Sequence, residues 1–290
     1  MSADYHQLLD ATIQHLETLK ARGVRHLAIA PETLRALAQP APRSFPASVS
    51  SVQSFTNPQL KAENSKLETV APAPSTIHHP PSSPEKPAAF AALRERALAC
   101  VKCPHLASSR KNVVFGVGNI DAQLMFVGEA PGADEDAQGE PFVGKAGQLL
   151  TKIIETTGLG RADVYIANIL KCRPDTPGQS AGNRKPAPEE MQTCLPYLHE
   201  QIDLIQPRVI VALGATAVEG LLGKTVGITK LRGHWQTYRG TPLMPTYHPA
   251  YLLRNQSLAE KRRVWEDMLA VMEKLGMPVS DRQRNFFLKA

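Results

Sequence analysis

Long apolar runs are missing from this sequence. No stretch approaches the roughly 18 uninterrupted apolar residues of a membrane-spanning helix, and the opening residues MSADYHQLLD lack the basic-then-apolar layout of a secretory signal. Both absences argue against a membrane or exported protein and set a cytoplasmic expectation. Cysteine is scarce, with four in 290 residues, all between positions 100 and 194. Without an export signal, thiols gathered in one interval read as ligands rather than disulfides. A large excess of one charge is also absent. The net charge of +6 suits a polyanionic partner, but it divides as about +2 before Cys100 and +4 after it, so charge alone does not identify a nucleic-acid protein.

Apolar residues make up 42% of the chain, enough for a full core. From Tyr5 to Leu37, Leu8, Leu9, Ile13, Leu16 and Leu19 recur at helical spacing and Pro31 opens a second short run. This predicts a small helical element over residues 1–38. Between Pro40 and Pro87 lie ten of the 24 prolines, with much Ser, Ala and Thr and no sustained periodicity. Residues 39–88 therefore read as a flexible tether, a spacer by default, although the helix and tether together are candidates for docking a partner.

From residue 89 to 276, apolar runs alternate with amphipathic stretches, the pattern of an α/β domain. Strands are expected at Gln123–Val127, Val164–Asn168, Val209–Leu213 and Pro242–Thr246, making a mainly parallel four-stranded sheet in a three-layer α/β/α architecture. Helices are expected through Leu149 to Ile154, over Pro188–Ile205, behind Gly214 and over Ser257–Leu275; residues 277–290 are left as a tail. In such sheets ligands bind where loops leave the carboxyl ends of strands. Three of those ends are polar: Gly128-Glu129-Ala130-Pro131-Gly132, Asn168 with Lys171, and Thr246-Tyr247-His248-Pro249.

Cys100-Val101-Lys102-Cys103 puts two thiols at chelating spacing, and Cys172 and Cys194 complete a set of four. Four thiolates suit either zinc or an iron–sulfur cluster. Zinc sites more often use two close pairs, whereas the second pair here is 22 residues apart, which tilts the reading toward a cluster with zinc second. The bland alternative, four ordinary buried cysteines, stays open. Phe142 alone reads as core, and His248 alone as a hydrogen-bonded structural histidine.

Taken together, GEAPGADEDAQGEPFVGKAGQLL, VYIANILKCRP, VIVALGATA and TYHPAYLLRN, in that order and spacing, resemble the family 4 uracil-DNA glycosylases, the bacterial and archaeal iron–sulfur type. The resemblance runs from about Cys100 to Leu275. It implies a 4Fe-4S cluster on Cys100, Cys103, Cys172 and Cys194, and a monomer acting on uracil in single- or double-stranded DNA. Phe142 matches the ring that stacks on flipped uracil, and Asn168 the amide that pairs with its O4 and N3–H. Gly128, Glu129 and Ala130 match the backbone cradle. Glu135 matches a carboxylate near uracil C5, and His248 the histidine that bonds uracil O2. Tyr251, Leu252, Leu253 and Arg254 match the loop that wedges into the vacated base stack, with Arg254 able to meet a phosphate, while Leu252 and Leu253 stay open to a core reading. Lys145, Lys171 and Arg173 are further candidate phosphate contacts, with solvated surface charge as the alternative. Ala130 stands where several related families carry an Asp or Asn that positions water, so no such base is expected here. Asp175 to Ala181 looks like an insertion between two of the cysteines. Two other classes remain: a non-catalytic DNA-binding module on the same scaffold, and a zinc-stabilised nucleotide-binding protein.

Overall fold

The computed structural model describes residues 85–175 and 183–288. The expected N-terminal helical element and nearly all of the expected tether lie outside the described residues.

Two helices, α1 (Lys86–Leu98) and α2 (Pro104–Ser109), precede a short strand β1 (Val117–Gly118). Strand β2 (Leu124–Gly128), helices α3 (Ala133–Gln138) and α4 (Lys145–Thr156) and strand β3 (Tyr165–Asn168) follow, then α5 (Pro188–Ile205), β4 (Val209–Leu213), α6 (Ala215–Leu222) and α7 (Ile228–Leu231). The chain closes with β5 (Gln236–Tyr238), β6 (Thr241–Thr246), α8 (Pro249–Arg254), α9 (Leu258–Leu275) and α10 (Asp281–Arg284). The sheet order is β1-β3-β2-β4-β6-β5. The four expected strands form its parallel centre. The expected count of four is corrected to six, because β1 and β5 pair antiparallel at the two edges. Both edge strands are too short, and too mixed in burial, to leave a periodic signal.

Every residue of β2, β3 and β4 is buried, as befits parallel strands covered on both faces. Alternate residues go to opposite layers. Met125, Val127, Ala167, Ile210 and Ala212 pack with α5 and α6 through Leu198, Ile202 and Val218. Leu124, Phe126, Ile166, Val209 and Val211 pack with α4 and α9 through Leu150, Ile154, Met268 and Val271. Each such side chain contributes about 1.5–3 kcal/mol when fully buried, and these two layers are the core. The residues expected as a tail fold back on it: Met277 joins the second layer, Trp265 Nε1 donates to the Gln283 carbonyl at 2.6 Å, and Gln283 Nε2 donates to the Thr156 carbonyl at 2.8 Å. Among the described residues no helix is long and apolar enough to cross a membrane.

The end of β6 is held by charge. Asp267 on α9, almost fully buried, accepts a hydrogen bond from Thr246 Oγ1 at 2.6 Å and pairs with Arg232, whose side chain is 14% exposed. The Arg232 guanidinium also lies 5.6 Å from the Tyr247 ring. Removing one partner of a buried pair strands the other charge. Arg232→Ala should therefore lower unfolding free energy by about 3 kcal/mol, read as a lower urea midpoint at unchanged slope; an unchanged midpoint would refute this role.

Candidate active site

Loops leaving β2, β3 and β6 meet around a cavity of about 170 Å³ lined by Ala130, Gly132, Glu135, Phe142, Ala146, Asn168, Asn183 and His248. Residues from positions 130 to 248 thus converge at the carboxyl ends of neighbouring parallel strands, where an open α/β sheet binds ligands.

Asn168 is the last residue of β3 and 2% exposed, and its Oδ1 has no hydrogen-bond partner among the described residues. A buried amide oxygen left unpaired is costly. Beneath it lies Gly128, where a Cβ would come within 2.4 Å of Asn168 Oδ1 and 2.5 Å of the Phe142 ring. Only glycine lets those two side chains meet over the strand end. Phe142 is itself unusual, a non-glycine residue in the left-handed region at φ 55°. Its ring centroid lies 5.6 Å from that of His248, with the planes tilted by 31°.

His248 caps α8: its Nδ1 accepts the N–H of Ala250 at 3.1 Å. Nδ1 is therefore the unprotonated nitrogen and Nε2 carries the hydrogen. Burial, helped by the positive charge of Arg254 and opposed by Glu135, pushes the imidazole pKa down to about 4. The ring is a neutral donor at physiological pH.

Glu135 lines the cavity, yet both its oxygens are engaged. Oε2 accepts from Gly132 N, and Oε1 from Val143 N and Gly144 N, each at 3.0 Å. It braces the turn after β2 against the loop carrying Phe142. Asn183 ties in a third segment, donating from Nδ2 to the Pro131 carbonyl at 2.8 Å and accepting from Arg173 Nε at 2.9 Å. Gly128 and Glu129 contribute backbone, their carbonyls accepting from Ile169 N and Leu170 N. The Ala130 methyl faces the cavity without a polar group.

The expected wedge loop is helix α8, and the rotation of about 100° from one helical residue to the next sends its two adjacent leucines to different surroundings. Leu252 is corrected to a core residue, 5% exposed and packed with Tyr247 and Val264. Leu253 is 39% exposed beside exposed Arg254. Tyr251 stacks on Tyr247 at 4.5 Å. Lys145 is exposed at the start of α4, next to Ala146 of the cavity wall. The reading of Lys171 as a phosphate contact is corrected too: it is 2% exposed, with Nζ donating to the Asn168 carbonyl at 2.8 Å and to Gln201 Oε1 at 2.7 Å.

Cys100, Cys103, Cys172 and Cys194 carry free thiols and line one small cavity with Arg110 and Glu190. Arg110 Nη1 donates to Cys172 Sγ at 3.1 Å, Arg110 Nη2 to the Cys100 carbonyl at 2.7 Å, and Lys171 N to Cys194 Sγ at 3.2 Å. Burial pushes the Cys194 thiol up to about 11 and raises Cys103 and Cys172 as well. Among the described residues no three potential ligands are drawn together as for one metal ion.

Sequence reasoning missed Asn183, Arg110 and the Asp267–Arg232 pair. None carries a local pattern, since each acts on a backbone or side chain far away in the chain.

Residues 115–269 match the model of the uracil DNA glycosylase superfamily. The type-4 uracil-DNA glycosylase of Thermotoga maritima is 50% identical over 179 residues, covering 60% of this chain and 88% of its own. That of Sulfurisphaera tokodaii is 40% identical over 206 residues, covering 68% and 89%, and that of Saccharolobus solfataricus 43% over 186, covering 61% and 82%. With matches over most of those relatives' length, and a superfamily model spanning more than half of the sequence, this chain belongs to the uracil-DNA glycosylase superfamily, in its type-4 family.

Proposed function

We propose that the cavity takes one uracil extruded from DNA and that the protein hydrolyses its N-glycosidic bond, releasing free uracil and leaving an abasic site for base excision repair. The carrying observation is the unpaired, buried Oδ1 of Asn168. Uracil offers an N3–H to that oxygen and an O4 to the amide Nδ2. Cytosine offers a bare N3 and an amine, so each partner would face its own kind. The Phe142 face supplies stacking, worth about 1–3 kcal/mol per base.

Bond breaking leaves an oxocarbenium-like sugar and a uracil anion, with charge collecting at O2. A neutral imidazole whose Nε2 carries the hydrogen suits donation to that oxygen, and a preset donor in a water-poor pocket is worth more than one in solution. Since Ala130 offers no base, stabilising the departing anion is the main contribution, with water captured late. Glu135 serves as a brace rather than as a catalytic group or a screen at C5, because three backbone N–H groups occupy its oxygens. Extrusion costs a few kcal/mol; Leu253 is the side chain of α8 free to fill the gap, with Lys145 and Arg254 facing phosphates. The substrate is uracil-containing DNA, single- or double-stranded, and the protein acts as a monomer.

The four cysteines fit a 4Fe-4S cluster better than zinc. The second pair of cysteines is 22 residues apart rather than the close pair of most four-cysteine zinc sites, and the N–H groups aimed at Cys172 and Cys194 suit thiolate ligands. Its contribution is structural: it ties the α1–α2 segment to the loop after β3 and the start of α5. On this reading the domain takes in α1 from Lys86 and residues 277–288, which pack on the core, rather than ending at about residues 89 and 276, and a helical element and tether precede it.

Incubation of uracil-bearing oligonucleotides with the protein, followed by alkali, should cleave the strand at uracil; an intact strand beside a working control would remove the enzyme reading. Asn168→Ala should slow excision by roughly 100-fold or more while leaving the thermal midpoint unchanged or higher, since the oxygen removed had no partner. A wild-type rate would show that the pocket is misassigned.

The excision rate should stay level from pH 8 to about pH 5 and fall as His248 protonates near its depressed pKa of about 4. The same shift contributes stability that is complete above the ordinary value of 6.5 and is lost as pH drops toward 4. A rate profile breaking near 6.5 would overturn the assignment of His248 as a neutral donor.

The purified protein should be yellow-brown, and Cys100→Ala should bleach it and lower its thermal midpoint. A colourless protein containing stoichiometric zinc would sink the cluster reading.

A further inference from the structure

The cavity wall depends on a residue outside it. Arg161, in the loop between α4 and β3, donates from Nη2 to the Pro141 carbonyl at 2.9 Å and from Nη1 to the Phe142 carbonyl and Thr151 Oγ1, both at 3.2 Å. Thr151 Oγ1 donates in turn to the Gly147 carbonyl at 3.1 Å. Arg161 is half-buried and forms no ion pair among the described residues. Withdrawing a guanidinium from water is costly, and burial lowers its pKa, opposed by the charge of Glu140. Its donors go instead to two successive backbone carbonyls in a loop with a left-handed Phe142 at φ 55°. A Cβ on Gly147 would stand 1.8 Å from that same Phe142 carbonyl, so the start of α4 presses on it directly. From the other side, Glu135 holds the next two N–H groups, of Val143 and Gly144.

We propose that Arg161 is a positioning residue for excision: by clamping the carbonyls of Pro141 and Phe142 against α4, it fixes the backbone that presents the Phe142 ring to the extruded base. This rests on the uracil reading and deepens it. A bidentate planar donor is required. Lysine, with a compact ammonium on a flexible stem, would not span both carbonyls in the same way. Misplacement of a stacking face by about 1 Å is enough to cost up to about 100-fold in rate, with little change in overall DNA contact.

The test is a double-mutant cycle in single-turnover excision, with a second reading that needs no activity. Arg161→Ala should lower the rate between about 10- and 100-fold with little change in Kd for the oligonucleotide, and Arg161→Lys should recover only part of it. Phe142→Ala should cost no more in the Arg161→Ala background than the small residue the misplaced ring still contributes, since both changes remove one interaction. Low-millimolar guanidinium chloride should restore part of the Arg161→Ala rate and nothing in Phe142→Ala. Independently, 4-fluorophenylalanine at position 142 should give a sharp fluorine resonance that shifts or broadens in Arg161→Ala and returns with guanidinium. Multiplying losses, absence of rescue, or an unmoved resonance would overturn the clamp. An inactive wild-type protein whose resonance still responds would defeat the uracil reading while leaving the clamp standing. If Arg161→Ala does not fold, Arg161→Lys carries the cycle and the resonance comparison.

Discussion

One buried amide oxygen organises this site. Asn168 Oδ1 is buried at the end of a central strand with no hydrogen-bond donor among the described residues, and folding has to hold it there against its own cost. The surrounding bonds show how. The Asn168 carbonyl accepts from the ammonium of buried Lys171, which also reaches Gln201 on α5; Gln201 Nε2 donates to the Phe115 carbonyl and the Tyr165 hydroxyl, each at 3.0 Å. This hydrogen-bonded network holds the Asn168 backbone, and with it Oδ1, in place. The partner is left for a ligand to bring, which on the proposed reading is how one side chain would separate two similar pyrimidines.

The same logic governs charge. Negative charge arises on the departing base, yet the groups that line the cavity hold little free charge. The imidazole is neutral, the Ala130 position is a methyl, and the Glu135 carboxylate is consumed by three N–H groups. Donors held in advance by a helix cap and a loop brace need no reorganisation when the charge appears. Asp267, the buried carboxylate behind β6, is countered by Arg232 and Thr246 and so steadies the strand that leads to His248.

The central fold was open to reading because its strands are continuous apolar runs. Leu124–Gly128 and Val209–Leu213 are buried on both faces and match the expected spans within a residue or so. The edge strands were not, since two or three residues of mixed burial carry no period. Phe142, Asn168 and His248 could be named only through the resemblance of the motifs around them, since Phe142 and His248 taken singly read as a core ring and a structural histidine. Arg161, Asp267 and Lys171 work through distant carbonyls and hydroxyls, and a long charged side chain in sequence looks the same whether it faces water or a buried oxygen. Leu252 and Leu253 illustrate the limit most sharply: they are neighbours of identical chemistry, and only the rotation of α8 about its axis sends one to the core and the other to solvent.

The cysteine site is shaped by the donors around its sulfur atoms. Neutral thiols ask little of their surroundings, being weak donors and weaker acceptors. Here a guanidinium and a backbone N–H are directed at sulfur atoms, which favours thiolates against the burial that raises the Cys172 and Cys194 thiols and suits the proposed cluster. Arg110 also holds the Cys100 carbonyl, while buried Asp136 accepts the N–H groups of Lys111 and Asn112 just beyond it. Lys171 sits between the two systems, its backbone N–H on Cys194 and its ammonium on Asn168. Three residues of chain therefore connect the sulfur site to Asn168, so on the proposed reading the metal site and the base-reading amide share one short stretch of backbone.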